Sequence, residues 1–174
     1  MAAFSLGQFV AAPYWGRLSD SIGRKPVLIF TLLGSALSYV ILAYAPNLTV
    51  VILSRILTGL MAGNVSIAFA YVADITDDNN RSAGLGKVSA ALGLGFMTGP
   101  AIGGLLAGNN VENANYLLTA LAAAGINFLA MLAAIVFLKE SLDVKKRKPF
   151  EGFSKIITLA TFSPAKSILP LVSC

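Results

Sequence analysis

The sequence predicts an all-α integral membrane protein, on the evidence of its composition, its apolar stretches and the placement of its charges. Hydrophobic residues make up 56% of the 174 residues and charged residues only 12%, against about 25% charged residues in a typical soluble domain. Uncharged stretches of roughly 20 residues, the length that crosses a bilayer core, recur along the chain. A surface so poor in charge argues against a soluble enzyme, a nucleic-acid-binding domain and a disordered tail.

Four stretches are long and apolar enough to span a bilayer, and a fifth is shorter. The four predicted complete spans are 27–45, 48–72, 88–108 and 114–138. Residues 1–15 are also uncharged but few for a span. We interpret them as the cytoplasmic end of a helix, which gives four complete transmembrane helices plus part of one.

The positive charges predict the orientation of these spans. The chain has 13 Lys and Arg against 8 Asp and Glu, a net charge of +5. All but Arg55 lie in alternate connectors or in the tail after residue 138, while the connectors 46–47 and 109–113 contain no Lys or Arg. By the positive-inside rule, the basic connectors are cytoplasmic.

Cysteine and histidine usage limits the chemistry that the chain can perform. There is no His, and the single Cys is Cys174. An internal disulfide and the usual zinc and haem sites are therefore not expected. We expect no metal and no cofactor. An integral-membrane enzyme is also disfavoured, because no span contains an acidic residue.

The connector between the first two apolar stretches concentrates charge beside glycine. Gly16 and Gly23 would allow a tight turn and close backbone approach. Asp20, Arg24 and Lys25 place one negative and two positive charges at a helix boundary. Such charges can pair with neighbouring helix ends and separate when those ends move, although an ordinary charged loop explains the composition equally well.

The second span contains the only basic residue predicted to lie within the membrane. Arg55, Gly59 and Gly63 are spaced by four, so they share one face of a helix. An Arg within a span is energetically costly and should face protein or a wet cavity. Because Arg55 lies near the outer end, snorkelling to the membrane surface is the alternative.

The third complete span has a regular pattern of glycines around one proline. Its spacing is G-x8-G-x3-G-P-x2-G-G, formed by Gly86, Gly95, Gly99, Pro100, Gly103 and Gly104. Three of these glycines form a strip that would let another helix approach closely. Pro100 cannot donate a hydrogen bond to the carbonyl of Phe96, so a bend is expected there. A helix that serves only to pack against its neighbours would carry the same pattern.

The order and spacing of these residues resemble the sequence motifs of the major facilitator superfamily. The first connector resembles the signature G-x-L-a-D-r-x-G-r-k-x-x-l between family helices 2 and 3, matched at Gly16, Leu18, Asp20, Gly23, Arg24, Lys25 and Leu28. Ser21 stands where the family usually has a basic residue. Arg55 and Gly59 match R-x-x-x-G of family helix 4. The glycine pattern is similar to the helix-5 signature of the drug:proton antiporter group.

The resemblance implies a partial N-terminal bundle of this superfamily. Residues 1–138 would run from the end of family helix 2 through helix 6, and residues 139–174 would begin the central cytoplasmic loop. The chain would then be an incomplete fragment of a twelve-helix transporter.

The resemblance also implies roles for individual residues. Arg55 becomes a proton-coupling candidate that tunes an acid located elsewhere. Asp74 and Arg81 would lie in the loop between family helices 4 and 5, with Asp74 pairing with Arg24 or Lys25 to latch the cytoplasmic side closed. The glycine-rich helix would form part of the hinge between outward and inward states. No substrate-binding residue is assigned.

The function implied is secondary active transport, namely proton-coupled export of a small organic molecule or drug by alternating access. The expected partners are the lipid bilayer, the substrate and protons, and no nucleic acid. The expected location is the plasma membrane as a multi-pass protein, with an organellar membrane as the alternative. A competing hypothesis is a non-transporting membrane module or truncated relative that assembles with a partner.

Overall fold

The computed structural model describes residues 2–108 and 115–142, and all regular structure within them is α-helical. The helices are α1 (Ala2–Ile22), α2 (Arg24–Ala43), α3 (Leu48–Met61), α4 (Asn64–Ile75), α5 (Asp78–Ala107) and α6 (Tyr116–Phe137). Four helical segments in these residues are long and apolar enough to cross a membrane, namely α2, α3 and α4 together, α5, and α6. The predicted fold class, an all-α membrane protein with four complete spans, is confirmed.

Helix α2 is the centre of the bundle, since it contacts α1, α3, α4 and α6. Its buried face is rich in hydroxyl groups that bond within the helix, as Thr31 Oγ1 donates to the Leu28 carbonyl and Ser38 Oγ to the Gly34 carbonyl. Small, internally bonded residues let helices approach closely in a membrane. The buried apolar cluster around this face consists of Ala11, Trp15, Val27, Leu28, Leu32, Ile67, Met131 and Ala134.

Glycines hold α1 close to α3. A Cβ added to Gly7 would lie 3.1 Å from the Ile56 carbonyl oxygen, and one added to Gly59 would overlap the Phe4 carbonyl group. The backbones of the two helices therefore touch at these positions, where no side chain larger than hydrogen fits without movement. Helix α5 differs from the other helices, because none of its residues is buried and, of the described helices, α4 and α6 are the ones that it contacts closely.

The predicted loop between the first two stretches is wrong in its extent. Helix α1 continues to Ile22 and α2 begins at Arg24, so Gly23 alone connects them. Gly23 has φ 124°, a backbone conformation that glycine adopts readily. Gly16 is helical and makes no turn. Residues 17–22 contain no Gly or Pro, and the hydroxyls of Ser19 and Ser21 donate back to carbonyls one turn earlier.

The predicted span 48–72 is interrupted in the structure. Helix α3 ends at Met61 and α4 begins at Asn64, with Ala62 and Gly63 between them. Gly63 therefore lies outside the helix that carries Arg55, and a single helix face shared with that residue is not formed.

The connection between α4 and α5 is also shorter than predicted. Asp74 lies in α4 and Arg81 in α5, so neither belongs to a loop. Helix α5 starts at residue 78, ten residues before the predicted span 88–108. The polar residues that precede the apolar stretch belong to the same helix. It passes through Pro100 without interruption. The predicted start of a central cytoplasmic loop lies outside the described residues from position 143 onward.

Candidate functional site at the cytoplasmic helix ends

Arg24, the first residue of α2, is the centre of the charged cluster. Its guanidinium is bonded to two carboxylates, with Nη1 2.6 Å from Asp20 Oδ1 and Nε 2.9 Å from Asp74 Oδ2. Nη1 also donates to Ser19 Oγ at 2.6 Å. We call Ser19, Asp20, Arg24, Asp74 and Glu140 the charged junction. It joins the end of α1, the start of α2 and the last turn of α4.

Burial makes the pairing at Arg24 a structural requirement. Arg24 is only 8% exposed and Ser19 is fully buried, whereas the carboxylate side chains of Asp20 and Asp74 are 38% and 27% exposed. A buried charge is tolerated when it is paired and hydrogen-bonded, and removing one partner is costly. Ser19 Oγ donates onward to the Gly16 carbonyl at 2.6 Å, which is the part Gly16 plays in this arrangement.

Glu140 completes the junction from the other end of the sequence. Its carboxylate accepts the backbone N–H of Arg24 at 2.8 Å and that of Lys25 at 3.3 Å. The first N–H groups of a helix have no partner within it, and the helix dipole favours negative charge there. Gly23, at the N-cap position, has no side chain to supply that acceptor. Glu140 therefore anchors α2 to the segment that follows α6.

The sequence interpretation missed Glu140. Its partners lie more than 100 positions away in the chain, and no local motif marks it. One feature of the sequence could have indicated it: Glu140 is the first acidic residue after the apolar stretch 114–138. It is therefore expected at the same membrane face as Arg24.

Lys25 and Arg81 do not pair with Asp74 in the structure. Lys25 Nζ donates to the Ile135 carbonyl at 2.9 Å, in the last turn of α6, where cations are favoured by the helix dipole. Of the two predicted partners for Asp74, the structure therefore brings Arg24 to it. Arg81 pairs with Asp78 at 3.2 Å, with both side chains well exposed, and it does not reach the charged junction.

Arg55 faces a cavity of about 460 Å³ near the opposite end of the bundle. The cavity lies between α2, α3 and α6, and its polar lining includes Tyr39, Tyr116 and Thr119. Within residues 2–108 and 115–142, Arg55 makes no ion pair or side-chain hydrogen bond. An acid that it could tune is absent from its surroundings in that part of the chain.

The glycine pattern of α5 lies on an unoccupied surface. Cβ atoms added at Gly86, Gly95, Gly99, Gly103 and Gly104 would meet nothing within 4 Å. The expected close approach of another helix is therefore not made by the described helices. A different glycine does pack: a Cβ on Gly84 would lie 2.9 Å from side-chain carbons of Val72 and Thr76, where α5 folds back against α4.

The geometry of Glu140 gives a prediction for the first turn of α2. Replacing Glu140 by Ala removes the acceptor for two N–H groups, a loss comparable to that of an N-cap at about 1 kcal/mol. We expect amides of residues 24–28 to exchange hydrogen about fivefold faster, measured by mass spectrometry on the full-length protein. Asp77→Ala is the control, since Asp77 makes no side-chain capping bond. Unchanged exchange in Glu140→Ala would contradict the anchoring role.

Comparison with known proteins matches nearly the whole chain to one protein family. The family model described as Major Facilitator Superfamily matches residues 1–172. The chain is 37% identical to the class C tetracycline resistance protein of Escherichia coli over 157 residues, covering 90% of this chain and 38% of that protein. It is 36% identical to multidrug resistance protein 2 of Bacillus subtilis (strain 168) over 156 residues, with 89% and 38% covered.

A solved structure supports the same assignment. The human organic anion transporter MFSD10 (TETRAN) superimposes with a TM-score of 0.73 at 37% identity, covering 87% of this chain and 34% of that one. The chain thus spans between about a third and two fifths of the length of these relatives. Since the family model matches nearly the whole chain and the helices superimpose on a solved member, the chain belongs to the major facilitator superfamily.

Proposed function

We propose that the protein containing this chain is a proton-coupled secondary transporter that exports a small organic molecule by alternating access. The observation that carries the proposal is membership of the superfamily together with 37% identity to a protein named for tetracycline resistance. A second relative is named for multidrug resistance and a third for organic anion transport. One of these names states transport of organic anions, and the other two state resistance to organic drugs, which export would confer. Transport rather than an enzymatic reaction is therefore the activity that we propose.

The glycine pattern of α5 supports export in particular. Its spacing resembles that of drug:proton antiporters, and its glycines face open space along a helix without buried residues. Alternating access requires one half of such a transporter to move against the other. A surface of small residues permits another helix to slide and approach closely. We assign the strip of α5 formed by Gly95, Gly99 and Gly103, together with Pro100, to the moving contact between the two halves.

The charged junction would control the cytoplasmic side in this mechanism. Arg24 joins α1, α2 and α4 through Asp20 and Asp74, and Glu140 ties α2 to the segment after α6. A cluster held by short bonds at helix ends favours one arrangement of those ends and must loosen for another. We assign Asp74 and Arg24 as the latch pair. Arg55 remains the proton-coupling candidate, acting on an acid outside the described residues.

The proposed location is the plasma membrane, where export lowers the internal concentration of a toxic compound.

A direct test of the proposed transport uses everted membrane vesicles that contain the full-length protein. A pH gradient is imposed so that the interior of the vesicles is more acidic than the medium. Under this gradient we expect a fluorescent cationic drug or tetracycline to accumulate in the vesicles. Collapse of the gradient by an uncoupler should abolish accumulation. Substrate movement that ignores the pH gradient would contradict proton coupling, and the absence of movement across a substrate panel would contradict export.

The latch assignment gives a separate prediction. Asp74→Asn removes the charge that pairs with a buried guanidinium, an interaction typically worth about 1.5–3 kcal/mol. We expect the maximal transport rate to fall by about tenfold or more, with a smaller change in the half-saturating substrate concentration. The matched control is Asp78→Asn, because the Asp78 side chain is 90% exposed and its one ion pair among the described residues is with Arg81. Equal transport by both variants would contradict the latch.

A further inference from the structure

Trp15 lies against the point where the span formed by α3 and α4 is interrupted. Its indole Nε1 donates a hydrogen bond to the Leu60 carbonyl oxygen at 2.5 Å. The side chain is buried, with the residue 8% exposed. Its ring meets those of Tyr14 and Phe30, with centroids 5.6 Å away in each case. The indole is therefore held in one orientation with its only donor aimed at α3.

The interruption leaves the backbone carbonyl of Leu60 without the helical N–H donor that it would otherwise have. In a continuous helix its carbonyl would accept the N–H of Asn64, but α4 starts anew at that residue. At the break, the Ala62 N–H bonds to the Gly59 carbonyl and the Ile67 N–H to the Gly63 carbonyl. An unpaired carbonyl is strongly unfavourable within a bilayer. The indole supplies a partner from a neighbouring helix.

Gly63 provides the space for the ring. A Cβ at this position would lie 2.5 Å from Trp15 Cδ1, closer than any real contact. The ring therefore occupies the room left by the missing side chain at the break. The tryptophan, the glycine and the redirected carbonyl together form one unit, which we call the Trp15 wedge (Trp15, Leu60 and Gly63).

The direction of α4 after the wedge determines where Asp74 lies. Helix α3 is fixed before the break by backbone contact of Gly59 with α1. Asp74 lies near the far end of α4, where its carboxylate is 2.9 Å from Arg24 Nε. An ion pair of this length fails if the helix end moves by a few ångströms.

We propose that Trp15 is a positioning residue, which holds the break at Ala62–Gly63 and thereby aligns Asp74 with Arg24. Without the indole donor, the Leu60 carbonyl is satisfied by the Asn64 N–H, and α3 and α4 join as one helix of a different direction. The inference goes beyond the proposed function, because it concerns the shape of this span and holds whatever the protein transports.

The test measures the position of the end of α4 directly. Spin labels are attached at Ile22→Cys, at the end of α1, and Asp77→Cys, just after α4, in a cysteine-free full-length protein in lipid nanodiscs. Helix α4 has 12 residues, so it is about 18 Å long, and a change of about 20° at the break moves its end by about 6 Å. We expect Trp15→Phe to shift or broaden the pulsed-EPR distance distribution on that scale.

A second substitution keeps the test decisive if Trp15→Phe is poorly expressed. Gly63→Ala displaces the indole from the opposite side and should change the same distance. Gly125→Ala is the matched control, since a Cβ there meets nothing within 4 Å, and its distribution should superimpose on that of the unmodified protein. If Trp15→Phe or Gly63→Ala leaves the distribution unchanged, the proposal is overturned and Trp15 is a core residue without a positioning role. No transport measurement enters, so this outcome is independent of the export proposal.

Discussion

The structure depends on one buried guanidinium at a helix boundary. Arg24 is the first residue of α2, the helix that contacts α1, α3, α4 and α6, and its side chain is 10% exposed. Taking a guanidinium out of water is costly unless carboxylates and hydrogen-bond acceptors surround it. Those acceptors come from α1 and α4, while Glu140 bonds the backbone of the same residue. Satisfying Arg24 therefore fixes the relative positions of the helix ends at this face.

This dependence explains why so short a connection as Gly23 suffices between α1 and α2. A charged loop would hold Asp20 and Arg24 loosely, whereas two helices joined by one residue hold them on either side of Gly23, with Arg24 Nη1 2.6 Å from Asp20 Oδ1. The positive φ of Gly23 makes the reversal possible. The opposite end of the bundle has no such cluster among the described residues, and Arg55 there faces a cavity rather than a carboxylate.

The sequence was sufficient for the features that depend on composition and local order. Apolar length predicted four spans, and the motif around Arg24 pointed to the superfamily. The resemblance in the segment around Asp74 left Arg24 and Lys25 as alternative partners for that carboxylate. Features that arise from contacts between distant segments could not be predicted. Glu140 has no sequence neighbour that reveals its place, and the break at Ala62–Gly63 depends on an indole from another helix. The loop around Gly16 was expected because charges suggested solvent, but charged residues such as Arg17 and Asp20 are compatible with a helix.

The energetic coupling between Arg24 and Asp74 tests the central claim most directly. Arg24→Gln, Asp74→Asn and the double variant of the full-length protein would be unfolded reversibly in mixed micelles to complete a double-mutant cycle. If the guanidinium depends on this carboxylate, the coupling free energy is about 1–3 kcal/mol, as for contacting residues of one network. A coupling within about 0.3 kcal/mol of zero would show that the two residues contribute independently and would contradict the account.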